Sequence, residues 1–253
     1  DESNVDKSIY FPPNEGKWES VDPTDSGWDV EKLQEAFDYG AKNRSTGIVV
    51  LSRGRLLAEH YIDLEGVPDE AKRRLVLRTD ALGHSIEDVA SCQKSVVSIL
   101  IGIAQQKGLL KIDEPVSQYL GEGWSRADTA QESAIQIRHL LTMTSGLTDT
   151  GTFQAPAGTR WKYNTPIYSK LMDVLTSATG KDRNELTKAW LTDPLGMSDS
   201  SWVERRAPGV QSVNKYGFAT SARDLARFGL MMLADGCWSD QEILSDQDYL
   251  RDA

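Results

Sequence analysis

The sequence predicts an α+β fold: an antiparallel sheet flanked by helices, with a mostly helical region inserted or appended. Three observations predict it. Gly47–Ser52 and Arg55–Tyr61, two runs rich in aliphatic and β-branched residues, flank the turn Arg53-Gly54 and read as a hairpin. Residues 96–104 are apolar nearly all round a helix, which places that helix in a core rather than on a surface. Beyond it, helical spacing recurs between loops and strand patterns are sparse.

In chain order, residues 1–27 are rich in Pro, Gly, Asp and Ser and read as an irregular leader, with Phe11-Pro12-Pro13 and Trp18 as anchors. Residues 28–43 predict an amphipathic helix with Val30, Leu33, Ala36 and Phe37 on one face. The hairpin follows, and Leu75-Val76-Leu77 reads as a further short strand. Next comes the buried helix, Ser91 to Ala104, with Asp88 and Ser91 as capping residues and Gly108 as its stop. Shorter helices are expected from Asp113 to Leu120 and over Ile137–Leu141, and Gly158 to Thr165 reads as a loop. Pro166–Gly180, Lys181–Leu191 and Ala222–Leu233 read as helices. No internal repeat or low-complexity tract interrupts the pattern. Two or three strands make a poor sheet. The hairpin is therefore expected to need partners, from downstream residues or from a second chain.

At 253 residues, 39% hydrophobic and 26% charged, the chain is long enough for one large globular domain or two small ones. Residues 1–253 read as that one domain, with a sheet-side part over 1–90 and a mostly helical part over 91–253. The net charge is −10, and no basic block exceeds Lys72-Arg73-Arg74. That disfavours nucleic acid and anionic membrane surfaces as partners. The longest apolar run is too short to span a bilayer. Cys92 and Cys237 have no metal or disulfide spacing. His60, His84 and His139 are scattered, so no metal site is expected. The first residue, Asp1, is compatible with removal of a signal peptide or with trimming.

Ser91 and Lys94 are three apart, so on a helix they share one face. A hydroxyl beside an amine at the positive end of a buried helix is a plausible activated nucleophile. Spacing alone is weak: about one such pair is expected by chance in a chain of this composition. A second match, Ser212 to Lys215, is followed by Tyr216-Gly217 and no apolar helix, so it reads as a loop. Gly83-His84-Ser85-Ile86-Glu87 imitates a hydrolase nucleophile elbow, but its last position is Glu and no buried helix follows directly. Cys92 reads as a small buried residue, and Met231, Met232 and Trp238 as core.

The motifs as a series resemble the serine β-lactamase and penicillin-recognising superfamily, in particular its class C β-lactamase and family VIII carboxylesterase branch. They are Asp88 to Ser95, Gly108 to Leu120, Ile137 to Leu147, Ala157 to Asn164, Asp193 to Met197, and Thr220 to Gly229. They run in the family's order across residues 47–251. The resemblance implies a Ser91 nucleophile with Lys94 one turn on, and Tyr163 as the tyrosine of a Tyr-x-Asn element. Thr165 stands where that element has Asn, and Asn164 is its substitute candidate for substrate binding. A third strand motif, Lys-Thr-Gly or His-x-Gly, is missing, so the family's last strands and one oxyanion donor are expected beyond Ala253. The implied chemistry is an acyl-enzyme on Ser91, with Lys94 and Tyr163 as base and proton relay and the Ser91 N–H in the oxyanion hole. No cofactor is implied, and the partner is a small-molecule substrate. Thr165 favours a small ester or amide. A true β-lactamase or D-Ala peptidase is one alternative, and a non-catalytic acylable sensor is another. The start at Asp1 favours a periplasmic or secreted location over a cytoplasmic one.

Overall fold

The structure, a computed structural model, describes residues 9–63, 76–205 and 214–252. Leu75, the 72–74 basic triplet and Ser212 lie outside the described residues. Two compact units emerge. One comprises the chain up to Val89 with Leu191–Ser201 and Phe218–Ser245; the other comprises Ala90–Trp190, Trp202–Gly217 and the chain from Asp246. The sheet-side part is therefore not confined to residues 1–90, because two later segments return to it.

In the first unit, β1 (Gly47–Ser52) and β2 (Arg55–Tyr61) form the antiparallel hairpin, Gly47 opposite Tyr61 and Ser52 opposite Arg55. Its two turn residues both have positive φ, 48° at Arg53 and 82° at Gly54. Two-residue hairpin turns of the right twist need such angles. A side chain at Gly54 would also collide with the Tyr10 carbonyl, 1.7 Å from a built Cβ. The leader runs along β2: Leu56 N–H donates to Glu19 O (2.8 Å) and Val21 N–H to Leu56 O (3.0 Å).

Asp29 caps the helix Val30–Lys42 by accepting from Lys32 N–H. Leu33 and Phe37, one turn apart, pack with Leu57 and with half-buried Ile48, Val50 and Ala58. Val30 and Ala36 are exposed, against expectation. The buried stripe is Leu33, Phe37 and Gly40, where the missing side chain admits Ile48. Val30 sits in the first turn, beyond the reach of that contact.

A second sheet contains β3 (Val76–Thr79), β4 (Ser85–Asp88), β5 (Ser201–Glu204) and β6 (Tyr216–Ser221), in the order β3-β4-β6-β5. Three of these strands were not legible as strands. The Ser-Ile-Glu-Asp of β4 carries a single apolar residue, Ile86, which is buried. The elbow-like Gly83–Glu87 resolves into a tight turn and this strand. Asp80 accepts from the Leu82 and His84 N–H groups (both 2.8 Å) and holds the turn. Helix Ala222–Leu233 follows β6, capped by Ser221. Met231 and Trp238 are core, whereas Met232 is only half-buried.

In the second unit, the helix Gln93–Gln106 buries Val96, Val97, Ile99, Leu100, Ile101, Ile103 and Ala104. Gly108, at φ 68°, follows its end. The helix expected over 166–180 is two helices, Thr165–Tyr168 and Lys170–Thr179, parted at Ser169. The second packs Leu171, Val174 and Leu175 against the buried helix. The helix expected over 181–191 is Arg183–Thr187, capped by Asp182, running into a π-turn at Lys188–Thr192.

Candidate active site

Ser91 lies in a tight 3-10 turn, Ala90–Cys92, that leads straight into the buried helix. Ala90 has φ 47°. A left-handed backbone costs a residue with a Cβ roughly 1–2 kcal/mol, and such strain clusters at functional sites. Ser91 does not cap the helix. Cys92 holds the cap position without a side-chain bond, and Asp88 ends β4 instead of capping. The cause is local: a 3-10 turn continuous with the helix leaves no extended residue to bend a side chain back onto its N–H groups. The Ser91 hydroxyl is turned to other partners.

Those partners are the two side chains expected. Ser91 Oγ lies 2.6 Å from the Tyr163 hydroxyl, and Lys94 Nζ donates to Ser91 Oγ at 3.2 Å and to Tyr163 Oη at 3.0 Å. The three polar tips form a closed triangle. Tyr168 Oη donates to the Lys94 carbonyl (2.9 Å) and steadies the first turn of the helix. The Tyr163 side of the triangle is open, since Tyr163 is 51% exposed. Its phenol pKa falls from 10 to about 8, first through the bond with Ser91, then through the bond with Lys94, with Thr165 adding a further hydrogen bond. Each partner stabilises the phenolate.

Tyr163 is aimed by the chain on either side of it. Lys162 N–H donates to Met143 O (3.0 Å), and its ammonium pairs with Asp149 (2.9 Å). Gly158 N–H donates to Thr144 O (2.8 Å). At Gly146, φ 73°, a Cβ would lie 1.9 Å from Ala155 O, so only glycine lets the two loop arms close.

Asn164, the candidate for substrate binding, is turned into the fold. Its side chain is buried, donating to Leu147 O (3.0 Å) and accepting from Ile167 N–H (3.2 Å) as the cap of the next helix. Both ends of the amide are committed inside the fold. Asn164→Ala is expected to cost about 1–3 kcal/mol of stability, by orphaning a buried carbonyl and removing a cap. Denaturant unfolding checks this.

Thr165 is half-buried and lines a cavity together with Lys94. Cys92 is exposed, contrary to expectation, because it precedes the stretch of helix that enters the core. The histidines have structural partners: His60 stacks on Phe37, His84 on Tyr61, and His139 Nδ1 accepts from Gln136 N–H. Among the described residues, no group of three or more His, Cys, Asp and Glu is placed to hold a metal. Arg183, Trp202 and Asn214 also line the cavity beside Lys94. Sequence reasoning missed them, and no local motif marks these three distant positions.

A mixed α/β fold with Ser-x-x-Lys opening a buried helix, and a tyrosine hydroxyl brought to it, defines the serine β-lactamase and penicillin-recognising superfamily. The chain belongs to the β-lactamase family, whose model matches residues 30–251. It is 24% identical over 242 residues to an uncharacterised protein of Alkalihalophilus pseudofirmus, covering 87% of this chain and 66% of the relative. It is 27% identical over 224 residues to esterase EstB of Burkholderia gladioli, covering 73% of this chain and 55% of the esterase. The octameric penicillin-binding protein homologue of Pyrococcus abyssi superposes with a TM-score of 0.64 at 19% identity, over 88% of this chain and 59% of that one. That last likeness is one of fold. The matches thus span about two thirds or less of these relatives' lengths.

Proposed function

We propose that this protein is a serine hydrolase that forms an acyl-enzyme on Ser91 and acts on a small ester or amide. The observation that carries the reading is the Ser91–Lys94–Tyr163 triangle, closed by contacts of 2.6, 3.2 and 3.0 Å. A neutral serine hydroxyl is too weak a nucleophile and needs a base within hydrogen-bond reach. Tyr163, with its pKa near 8, fills that role in its phenolate form, and Lys94 holds the phenolate and the hydroxyl together. As Ser91 Oγ bonds to the carbonyl carbon, its proton passes to Tyr163. The Ser91 N–H is one donor to the resulting oxyanion. Collapse breaks the bond to the leaving group, which departs with the proton from Tyr163. Water then attacks the acyl-enzyme, giving its proton to Tyr163, and the acid leaves as Ser91 Oγ is reprotonated.

Two features favour an ester or amide over a β-lactam. Thr165 occupies the place where the resembling family has an amide, and Asn164 is buried and committed elsewhere. The relative named esterase EstB is in keeping with this. The test treats the purified protein with a serine-reactive phosphonate, maps the label, and compares 4-nitrophenyl esters with a chromogenic cephalosporin. Labelling of Ser91 and faster ester turnover are expected. A label on another serine, or cephalosporin as the better substrate, overturns the reading.

A further inference from the structure

Lys94 is gripped at both of its ends by one short segment, Tyr163 to Tyr168. Its ammonium donates to the Tyr163 hydroxyl (3.0 Å), and its backbone carbonyl accepts from the Tyr168 hydroxyl (2.9 Å). Between the two phenols stands the single helical turn Thr165–Tyr168, capped by Asn164 and opened by Pro166. Tyr168 N–H donates to Asn164 O (2.9 Å), and the Asn164 amide donates to Leu147 O (3.0 Å). The spacing of the two phenols is therefore set by a bonded backbone. Lys94 Nζ also lies over both rings, 5.0 Å from the Tyr163 centroid and 5.8 Å from that of Tyr168. Both distances are within reach of a cation–π attraction.

Tyr168 differs from Tyr163 in its surroundings. It is buried, and burial, with the Tyr249 phenol nearby, pushes its pKa above the ordinary tyrosine value. Its hydroxyl keeps its proton and remains a donor where Tyr163 ionises. The Lys94 carbonyl does not depend on this bond, because in a helix it accepts from the N–H four residues on. The Tyr168 bond is added to that ladder. Tyr249, from the helix Gln247–Asp252, supplies a comparison. It donates to the Ser98 carbonyl (2.6 Å), one turn beyond Lys94 on the same helix, and burial raises its pKa too.

We infer that Tyr168 is a positioning residue: by tying the end of this segment to the Lys94 carbonyl, it sets the distance at which Tyr163 meets Lys94 and Ser91. Its effect on turnover rests on the hydrolase reading; the clasp on Lys94 does not. Without the Tyr168 hydroxyl, the turn Thr165–Tyr168 loses its bond to the nucleophile helix. The Tyr163 contacts then lengthen, and the phenolate loses part of what favours it, the bonds from Ser91 and Lys94. A base displaced by a fraction of an ångström also lowers the rate directly.

The experiment compares wild type, Tyr168→Phe and Tyr249→Phe. Each substitution keeps a ring and removes one donor to a carbonyl of the same helix. In the first arm, kcat and KM for 4-nitrophenyl butyrate are measured across pH. In the second, Tyr163 is titrated by its phenolate absorbance, as the difference between each protein and the same protein carrying Tyr163→Phe. Tyr168→Phe is expected to lower kcat by about tenfold with little change in KM. It should also move the Tyr163 titration, and the pH limb of the rate, upward from about 8. Tyr249→Phe should leave both where they are. If Tyr168→Phe moves the titration but no protein hydrolyses the ester, the hydrolase reading fails and the clasp stands. If the ester is hydrolysed and Tyr168→Phe moves neither limb nor titration, the positioning role is overturned and the hydrolase reading stands. An equal movement in Tyr249→Phe overturns the role as well, since any loosening of the helix would then suffice. Loss of cooperative unfolding in Tyr168→Phe overturns it too, by making the hydroxyl a strut of the fold.

Discussion

Ser91→Ala is expected to lower ester kcat/KM by about 10,000-fold or more, since the variant has no atom to carry the acyl group. The fold should not notice. Ser91 is exposed, and its hydroxyl caps no helix; among the described residues it bonds only to Lys94 and Tyr163, the two other members of the triangle. An exposed substitution of this kind changes stability by about 0.5 kcal/mol or less. Activity and thermal unfolding measured side by side test the pair of claims. A variant that keeps a tenth of the wild-type rate would remove Ser91 from the chemistry, and loss of cooperative unfolding would mean that the hydroxyl has a structural task.

Tyr163→Phe is expected to cost about 100- to 10,000-fold, the range for removing a general base. Its pH dependence separates it from a packing defect. The phenol pKa of about 8 is held down by Ser91 and Lys94. The working form is the deprotonated one, so wild-type kcat/KM should rise with pH, level off above about 8, and fall as pH drops through that value. The Phe variant has nothing to titrate there and should lack this limb. Lys94→Ala removes the second cause of the shift and should move the limb upward, toward the ordinary tyrosine value. An unchanged profile in Tyr163→Phe would assign the limb to another group. The titration itself adds little to stability, because the ring is half exposed and solvent screens the charge.

The buried helix and the hairpin were legible because each is a strong local pattern. Seven apolar positions between 96 and 104 allow no solvent face, and Arg53-Gly54 between two aliphatic runs allows one turn. The helix Ala222–Leu233 was equally plain, with Ser221 as its cap. The second sheet was not, for β4 is short and polar, and its pairing with β6 depends on residues more than a hundred positions away, Ile86 opposite Ser221. Periodicity has no access to such partners. Nor could it split the helix at Ser169.

The sequence by itself determined the nucleophile helix, the Ser91–Lys94 spacing, and the family to which the chain belongs. These depend on neighbours along the chain, which sequence records directly. Only the tertiary structure decided that Tyr163 closes the triangle and that Asn164 is spent inside the fold. It also decided that Cys92 faces solvent, and that Arg183 and Lys94 share one cavity. Each of these depends on where a side chain's polar tip ends after distant segments pack, and that position is set by burial and hydrogen bonding across the fold rather than by the residues on either side.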